Sequence, residues 1–306
     1  MKKEISPVKK RSSKWGNEGK YLYLFAGPAM VFMLVLSIYP IVYNFFLMFR
    51  NMSSSTFFTH KFVGLDTINQ VFAKGVIWQA LWNTVLFTVA CTVMQLVLGL
   101  ALALLLNKAL RVARFARSMI VISYIIPLTV TGLLFKFIFQ ADTGILNYLL
   151  RQVGLISESI TWLTSPSLAL WTIIVANIWV GVPFDMMLLT TGLSNISEEV
   201  YESASIDGAG KLQRFFRITM PLLKPAIYSI LILGVIYTVK MFDLVKIMTA
   251  GGPVNATELL STYSYRLGFN EMNFSQASVV ANFMFLLLVV VAIFYLQFVR
   301  EDEVIS

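Results

Sequence analysis

Four ionisable residues lie where ionisable residues are costly. Asp185, Lys240, Asp243 and Lys246 are embedded in stretches otherwise rich in Leu, Ile, Val, Phe and Met. A charge inside an apolar segment is tolerated when it is paired or faces a water-filled path, so each marks a candidate functional position. The last three recur at every third residue, which in one helix places them broadly along one face. Such a stripe fits two roles. One is local pairing of Asp243 with either lysine, the lysine stems reaching toward an interface. The other is lining a path for a polar solute, a role in which Tyr237 would join them. Asn83, Thr84, Gln95 and Asn177 are weaker candidates, because hydrogen bonding between helices is the ordinary role of such side chains.

A second polar feature is ESASIDGAGKLQRFFRITMPLLKP, residues 202–225, which separates two strongly apolar segments. Within it, Gly208-Ala209-Gly210-Lys211 looks like a fragment of a phosphate loop. The full motif needs GxxxxGK followed by Ser or Thr, after a strand. Leu212 occupies the hydroxyl position and no strand pattern precedes it. Nucleotide chemistry is therefore not expected of this chain. A single histidine, His60, cannot build a zinc site, and a single cysteine, Cys91, cannot form an internal disulfide. No coherent nucleophile–base set stands out. The chain is read as non-catalytic, with no cofactor or metal of its own.

These residues must be positioned by membrane-spanning helices. Of 306 residues, 58% are hydrophobic and only 13% charged, and the mean hydropathy is +0.75. A soluble domain carries about 25% charged residues, so an all-α polytopic membrane protein is the expected class. Windows of about 20 apolar residues give six transmembrane helices: Leu22–Met48, Leu81–Leu106, Met119–Phe139, Leu168–Gly192, Ala226–Thr249 and Ser278–Val299. Pro40, Pro127 and Pro183 are candidate kinks. The first apolar run is too long for a secretory signal and is read as a retained helix. Segments 1–20, 107–117, 194–224 and 300–306 hold 16 of the 24 Lys and Arg, which places both termini in the cytoplasm. The net charge of +8 is thus a topology signal beside anionic lipid, and no nucleic-acid partner is implied. Thr143–Leu155 has the spacing of a short amphipathic helix at the outer interface. The expected organisation is a basic cytoplasmic tail over 1–20, a membrane domain over 21–300 containing a cytoplasmic loop at 195–224, and a short cytoplasmic tail over 301–306.

Asn195 and Glu198 have the spacing of a capping box for a helix through Ala204. Gly208 and Gly210 then predict a turn, and Lys211–Ile218 a second helix, with Pro221 and Pro225 shaping the return to the bilayer. Such a helix–turn–helix is either a plain solvated connector or a docking surface. In the second case Leu212, Phe215, Phe216 and Ile218 supply an apolar anchor, and Glu202, Lys211 and Arg214 a polar rim.

The same loop resembles the signature of the membrane subunits of binding-protein-dependent ATP-binding-cassette importers, the maltose-type sugar permease family. That signature runs EAA-x-x-x-G, nine residues, then I-x-L-P. Here it reads Glu202-Ser203-Ala204, Gly208, then Ile218, Met220 and Pro221, with Asp207 and Ala209 completing a DGA segment. Ser203 and Met220 replace the usual alanine and leucine. The similarity extends to FVGL at Phe62–Leu65, to Leu81-Trp82-Asn83-Thr84, and to Gly251-Gly252-Pro253, Thr257, Tyr263-Ser264-Tyr265 and Phe269, which look like the F-type partner of the family.

The resemblance implies a type I importer permease fold in which 195–224 carries a coupling helix. Glu202, Ala204, Asp207, Gly208 and Phe215 would contact a cytoplasmic ATPase. It implies a second homologous permease subunit, two cytoplasmic ATPases that hold ATP and Mg, an extracytoplasmic solute-binding protein, a carbohydrate substrate and a bacterial cell membrane. Asp185, Tyr237, Lys240, Asp243 and Lys246 are the candidates for the translocation path. The alternative function is an ion-coupled secondary transporter, which would use a midplane ion site and leave the 202–225 loop without a task.

Overall fold

The computed structural model describes residues 15–107 and 111–305. Most of the expected basic tail (1–14), Lys108 in the basic stretch and the final Ser306 lie outside the described residues. The described chain is helical throughout; the sole strand-like pairing in it is an isolated bridge between Arg50 and Phe62. The apolar runs form helices because a backbone in lipid must satisfy its polar groups within its own segment. In order they are α1 (Trp15–Leu47), α2 (Asp66–Ala73), α3 (Gly75–Leu106), α4 (Arg111–Ile125), α5 (Leu128–Ile138), α6 (Ile145–Gln152) and α7 (Ala169–Ser194). There follow α8 (Glu198–Ile206), α9 (Lys211–Arg214), a π-turn (Phe215–Thr219), α10 (Met220–Val239), α11 (Asp243–Met248), α12 (Leu260–Tyr265), a second π-turn (Arg266–Asn270) and α13 (Phe274–Ile305).

Four expected spans, the first, second, fourth and sixth, are single helices long and apolar enough to cross a membrane. The third and fifth differ from expectation. Met119–Phe139 is two helices, α4 and α5, bent by 99° at Ile126–Pro127. Proline has no N–H to donate and its ring disfavours helical geometry in the residue before it, so the ladder stops there. Pro40 and Pro183, by contrast, lie inside the uninterrupted α1 and α7.

Ala226–Thr249 breaks after Val239. Lys240–Phe242 leave the helix, and the Ser261 hydroxyl donates to the Met241 carbonyl that the break frees. The expected single face for Lys240, Asp243 and Lys246 is therefore lost, since Lys240 stands in the break and Asp243 and Lys246 on the separate helix beyond it.

The 195–224 loop also departs in detail. Ser197, not Asn195, precedes the first turn of α8, and no side chain caps it; Asn195 ends α7. Glu198 and Glu199 in that first turn suit the positive end of the helix. Gly208 makes the turn at φ +78°, a left-handed conformation that glycine adopts without steric cost. The second helix does not stop at Ile218. It widens through the π-turn and runs directly into α10, so Lys211–Val239 is one rod. Pro221 and Pro225 sit inside its first turns without interrupting it.

Three apolar clusters hold these elements together. One joins α3 and α7 with α11 around Phe87, Ile173 and Leu244. A second gathers α2, α12 and α13 against the start of α3 around Ile77, Tyr263 and Val280. The third joins the far ends of α3 and α7 to α10 through Ala103, Leu189 and Leu223. The helix α7 is the centre of the bundle: 56% of its apolar window is buried within the chain, against 6% for α1.

Candidate functional site: a polar cavity and a braced loop

A cavity of about 360 Å³ opens where α3, α7 and α10 meet the α4–α5 bend. Its polar lining comes from Gln95, Tyr124, Asn177, Asp185, Tyr237 and Thr238. Close backbone approach positions these groups. A Cβ added to Gly99 of α3 would stand 2.7 Å from the Asp185 Cβ, so only glycine lets α7 come that near. A Cβ at Gly181 would lie 2.3 Å from the Gln95 amide nitrogen. The Gln95 amide instead crosses that gap and donates to the Asn177 carbonyl at 2.8 Å. On the opposite wall Tyr124 stacks on Phe184 with ring centres 5.7 Å apart.

Of the five residues expected along a path, the structure brings Asp185 and Tyr237 into this cavity. Lys240 stands beside it, its ammonium 5.8 Å from the centre of the Tyr237 ring. Asp243 and Lys246 lie apart from it. Asp243 is exposed at the start of α11 and pairs with neither lysine. Lys246 instead lies over the Tyr265 ring, 4.7 Å from its centre. Local pairing is thus not the role of this stripe. Sequence reasoning missed Tyr124 and Thr238. Pro127 was the available signal for Tyr124, because a broken span opens a cavity beside the break.

A second polar cluster joins two of the sequence motifs. The Asn83 amide donates to the carbonyls of Asn255 and Ala256, both at 3.2 Å, and of Glu258 at 3.1 Å. The neighbouring Thr84 hydroxyl accepts from the Leu260 amide at 3.0 Å. The LWNT segment therefore holds the loop that begins Gly251-Gly252-Pro253. Inside the loop, buried Glu258 pairs with Arg266 at 2.9 Å, and Arg266 also donates to Asn255 at 2.6 Å. Burial pushes the Glu258 carboxyl above the usual carboxylate range, while the Thr262 hydroxyl and then the Arg266 and Lys246 charges pull it back. Gly251, at φ +90°, lets the backbone pass the Glu258 carboxylate, whose Oε2 would be 2.7 Å from a Cβ there.

The loop carrying Glu202, Ala204, Asp207 and Gly208 has a different character. Glu202, Asp207 and Gly208 are exposed, and Ala204 and Phe215 half-buried. Two bonds brace α8 against the following rod: Tyr201 to Thr219 at 3.0 Å, and the Arg214 guanidinium to the Ser205 hydroxyl at 2.7 Å. Of the expected apolar anchors, Leu212 and Phe216 are exposed, while Phe215 and Ile218 are half-buried. Ile206, 87% exposed, is an anchor the sequence reading did not single out.

Residues 95–301 match the family described as the binding-protein-dependent transport system inner membrane component. The chain belongs to this family. It is 32% identical over 96% of its length to the sulfoquinovosyl glycerol transport system permease protein SmoG of Agrobacterium fabrum, covering 95% of that protein. It is 35% identical over 94% of its length to the probable ABC transporter permease protein YurN of Bacillus subtilis, covering 99% of it. Its fold matches a chain of a bacterial ABC transporter involved in the import of the acidic polysaccharide alginate, with a TM-score of 0.81 and 22% identity over 93% of this chain and 96% of that one. The protein is a multi-pass transmembrane permease subunit of an ABC-type importer, of the type I permease fold. Family membership displaces the ion-coupled reading. Among the described residues no group of three or more His, Cys, Asp or Glu is arranged to hold a metal.

Proposed function

We propose that this permease is the maltose-type, F-like half of a carbohydrate importer. It pairs with a second homologous membrane subunit, and the cavity around Asp185 and Tyr237 is its contribution to the path. Two ATPases holding ATP and Mg dock on the loop through Glu202, Ala204, Asp207, Gly208 and Phe215. The 195–224 loop and both termini face the cytoplasm, and a solute-binding protein delivers the carbohydrate from the other side. Within the chain, 21–300 is the membrane domain and 1–20 and 301–306 are tails. Carbohydrate cargo is supported by the names of the relatives, which differ in the sugar they carry.

One observation carries the reading. The rod Lys211–Val239 begins in the exposed, braced loop and ends with Tyr237 and Thr238 in the cavity wall. A push on α8 reaches the rod through Tyr201–Thr219 and Arg214–Ser205. ATP-driven closure of the ATPases at one end therefore tilts the cavity wall at the other, a rigid-body transmission between two packed states. This chain makes and breaks no covalent bond.

The test is a complex purified through this subunit and reconstituted in vesicles. An ATPase is expected to copurify, and Glu202→Ala or Gly208→Val to lower uptake while ATP hydrolysis continues. Uptake that proceeds without any ATPase and follows a proton gradient would overturn the reading.

A further inference from the structure

A second, larger cavity of about 590 Å³ lies at the end of the bundle remote from the 195–224 loop. The helix α7, 26 residues and so about 39 Å long, separates the two ends. Leu133, Lys136 and Phe137 of α5 line this cavity, while Leu128 at the start of α5 lines the cavity of Asp185 and Tyr237. The two cavities therefore lie toward opposite ends of one 11-residue helix, about 16 Å long.

The lining combines a fixed aromatic ring with polar groups of both kinds. Trp162 is half-buried, and its indole N–H donates to the Asn147 side-chain oxygen at 2.8 Å. Its ring meets Phe139 with centres 5.9 Å apart. Asn147 is fully buried, and its amide also donates to the carbonyls of Ala141 and Ile160 at 2.8 and 2.9 Å. One side chain thus ties the ring to both segments that border it. Around the ring stand Lys136, Gln140, Asp142, Thr161 and Thr164, all exposed. Lys136 and Asp142 share the cavity, yet among the described residues neither forms an ion pair. An ammonium offers only donors and a carboxylate only acceptors, and a hydroxyl can meet either. A bare anion would meet Lys136 but also Asp142, and a cation the reverse, so the mixed pair favours a neutral polyol. An indole held in place supplies the apolar surface that the C–H face of a sugar ring covers.

We propose that this cavity is a carbohydrate subsite, separate from the cavity of Asp185 and Tyr237, in which a neutral sugar ring stacks on Trp162 and hydrogen-bonds to Lys136 and Asp142. The proposal rests on the transport reading above and deepens it by giving the permease a second sugar station, on the side from which solute is delivered.

The test uses the complete transporter, both membrane subunits with the ATPases, in lipid nanodiscs. Thr164→Cys places a thiol in the cavity wall, and the rate at which a charged maleimide labels this chain reads access to it; the native Cys91 is buried. The probes are maltose, cellobiose, trehalose and raffinose. Glycerol and glycine are controls that carry hydroxyls or both charges but no ring. At least one sugar is expected to slow labelling, and neither control. For that sugar, Trp162→Ala is expected to raise the half-protecting concentration about tenfold, and Trp162→Phe about threefold or less. Asp142→Ala, which removes an exposed and unpaired side chain, is expected to raise it about tenfold. Labelling that no sugar slows, or that a control slows as well as the sugars do, overturns the proposal. So does an unchanged half-protecting concentration in Asp142→Ala, or in a Trp162→Ala complex that assembles. If Trp162→Ala fails to assemble, Asp142→Ala decides. The transport reading stands or falls separately, on uncoupling by the Glu202 and Gly208 variants.

Discussion

The cavity wall and the 198–219 loop are both polar interruptions of an apolar chain, and they are built in opposite ways. In the wall, Gln95, Asn177, Asp185 and Thr238 are buried beside the more exposed Tyr124 and Tyr237, and close contact sets them: Gly99 against Asp185, Gly181 against Gln95. In the loop, Glu202 and Asp207 are exposed, and so are Ile206, Leu212 and Phe216. Water satisfies the loop's charges but not its apolar side chains. An exposed apolar set rimmed by charge marks a docking surface. Buried polar groups without full partners mark a place for a ligand with matching donors. The difference separates a surface with the character of a protein-docking patch from a cavity with the character of a solute site, as proposed above.

That contrast can be broken at the wall first. Gly99→Val places a branched side chain where even a Cβ meets Asp185 at 2.7 Å. Overpacking of this kind costs about 1–3 kcal/mol or more. The expected result is a clear drop in the thermal midpoint of the purified complex and loss of the monodisperse form. An unchanged midpoint would mean that α3 and α7 are not in contact there.

Asn83→Ala is the next largest. It leaves three loop carbonyls without their shared donor, at a cost of about 1–3 kcal/mol. Protease cleavage within 250–258 should quicken while cleavage at the 206–210 turn stays at its wild-type rate. Equal quickening at both places would erase the distinction between the two regions.

In the loop the effects should be smaller and confined to coupling. Gly208→Ala forces a side chain into the left-handed region at φ +78°, a strain of about 1–2 kcal/mol. Because the turn is exposed, the thermal midpoint should hardly move, and association with the ATPase should weaken. A large fall in the midpoint would show the loop to be part of the packed core. Tyr201→Phe removes only the bond to Thr219, about 0.5–1.5 kcal/mol. A modest fall in uptake per ATP hydrolysed is the expected reading.

The smallest effect concerns pH. Burial raises the Glu258 carboxyl above its ordinary value of 4.5. The folded loop then binds more protons than the unfolded chain between the two values, so its stability is full below that window and falls as pH rises through it. Glu258→Gln should flatten this dependence of loop cleavage on pH.

Much of this was legible beforehand. The runs that became α1, α3, α7 and α13 are apolar and unbroken, and bilayer thickness alone makes them helices. The exposed polar loop was legible because charge, glycine and proline fall together within 202–225. The two motif segments around Asn83 and Gly251 could be read as segments. Their contact could not, since three hydrogen bonds across 172 or more positions leave no local signal. The break after Val239 was invisible for a similar reason. No proline or glycine lies at Lys240–Phe242, and the hydroxyl that takes up the freed carbonyl belongs to Ser261, 20 residues away. Asp243 and Lys246 were placed on the path by a periodicity that assumes one helix, and the bend removed that assumption.

The amino-acid sequence by itself determined the membrane class, most of the segments that span and the exposed polar loop between two of them, because hydrophobicity, charge placement and turn residues act locally along the chain. Only the tertiary structure decided which polar residues meet. It set Asp185 and Tyr237 in one cavity and left Asp243 outside it. Distances between helices are fixed by side chains packing across them, and that packing is a property of the folded chain alone.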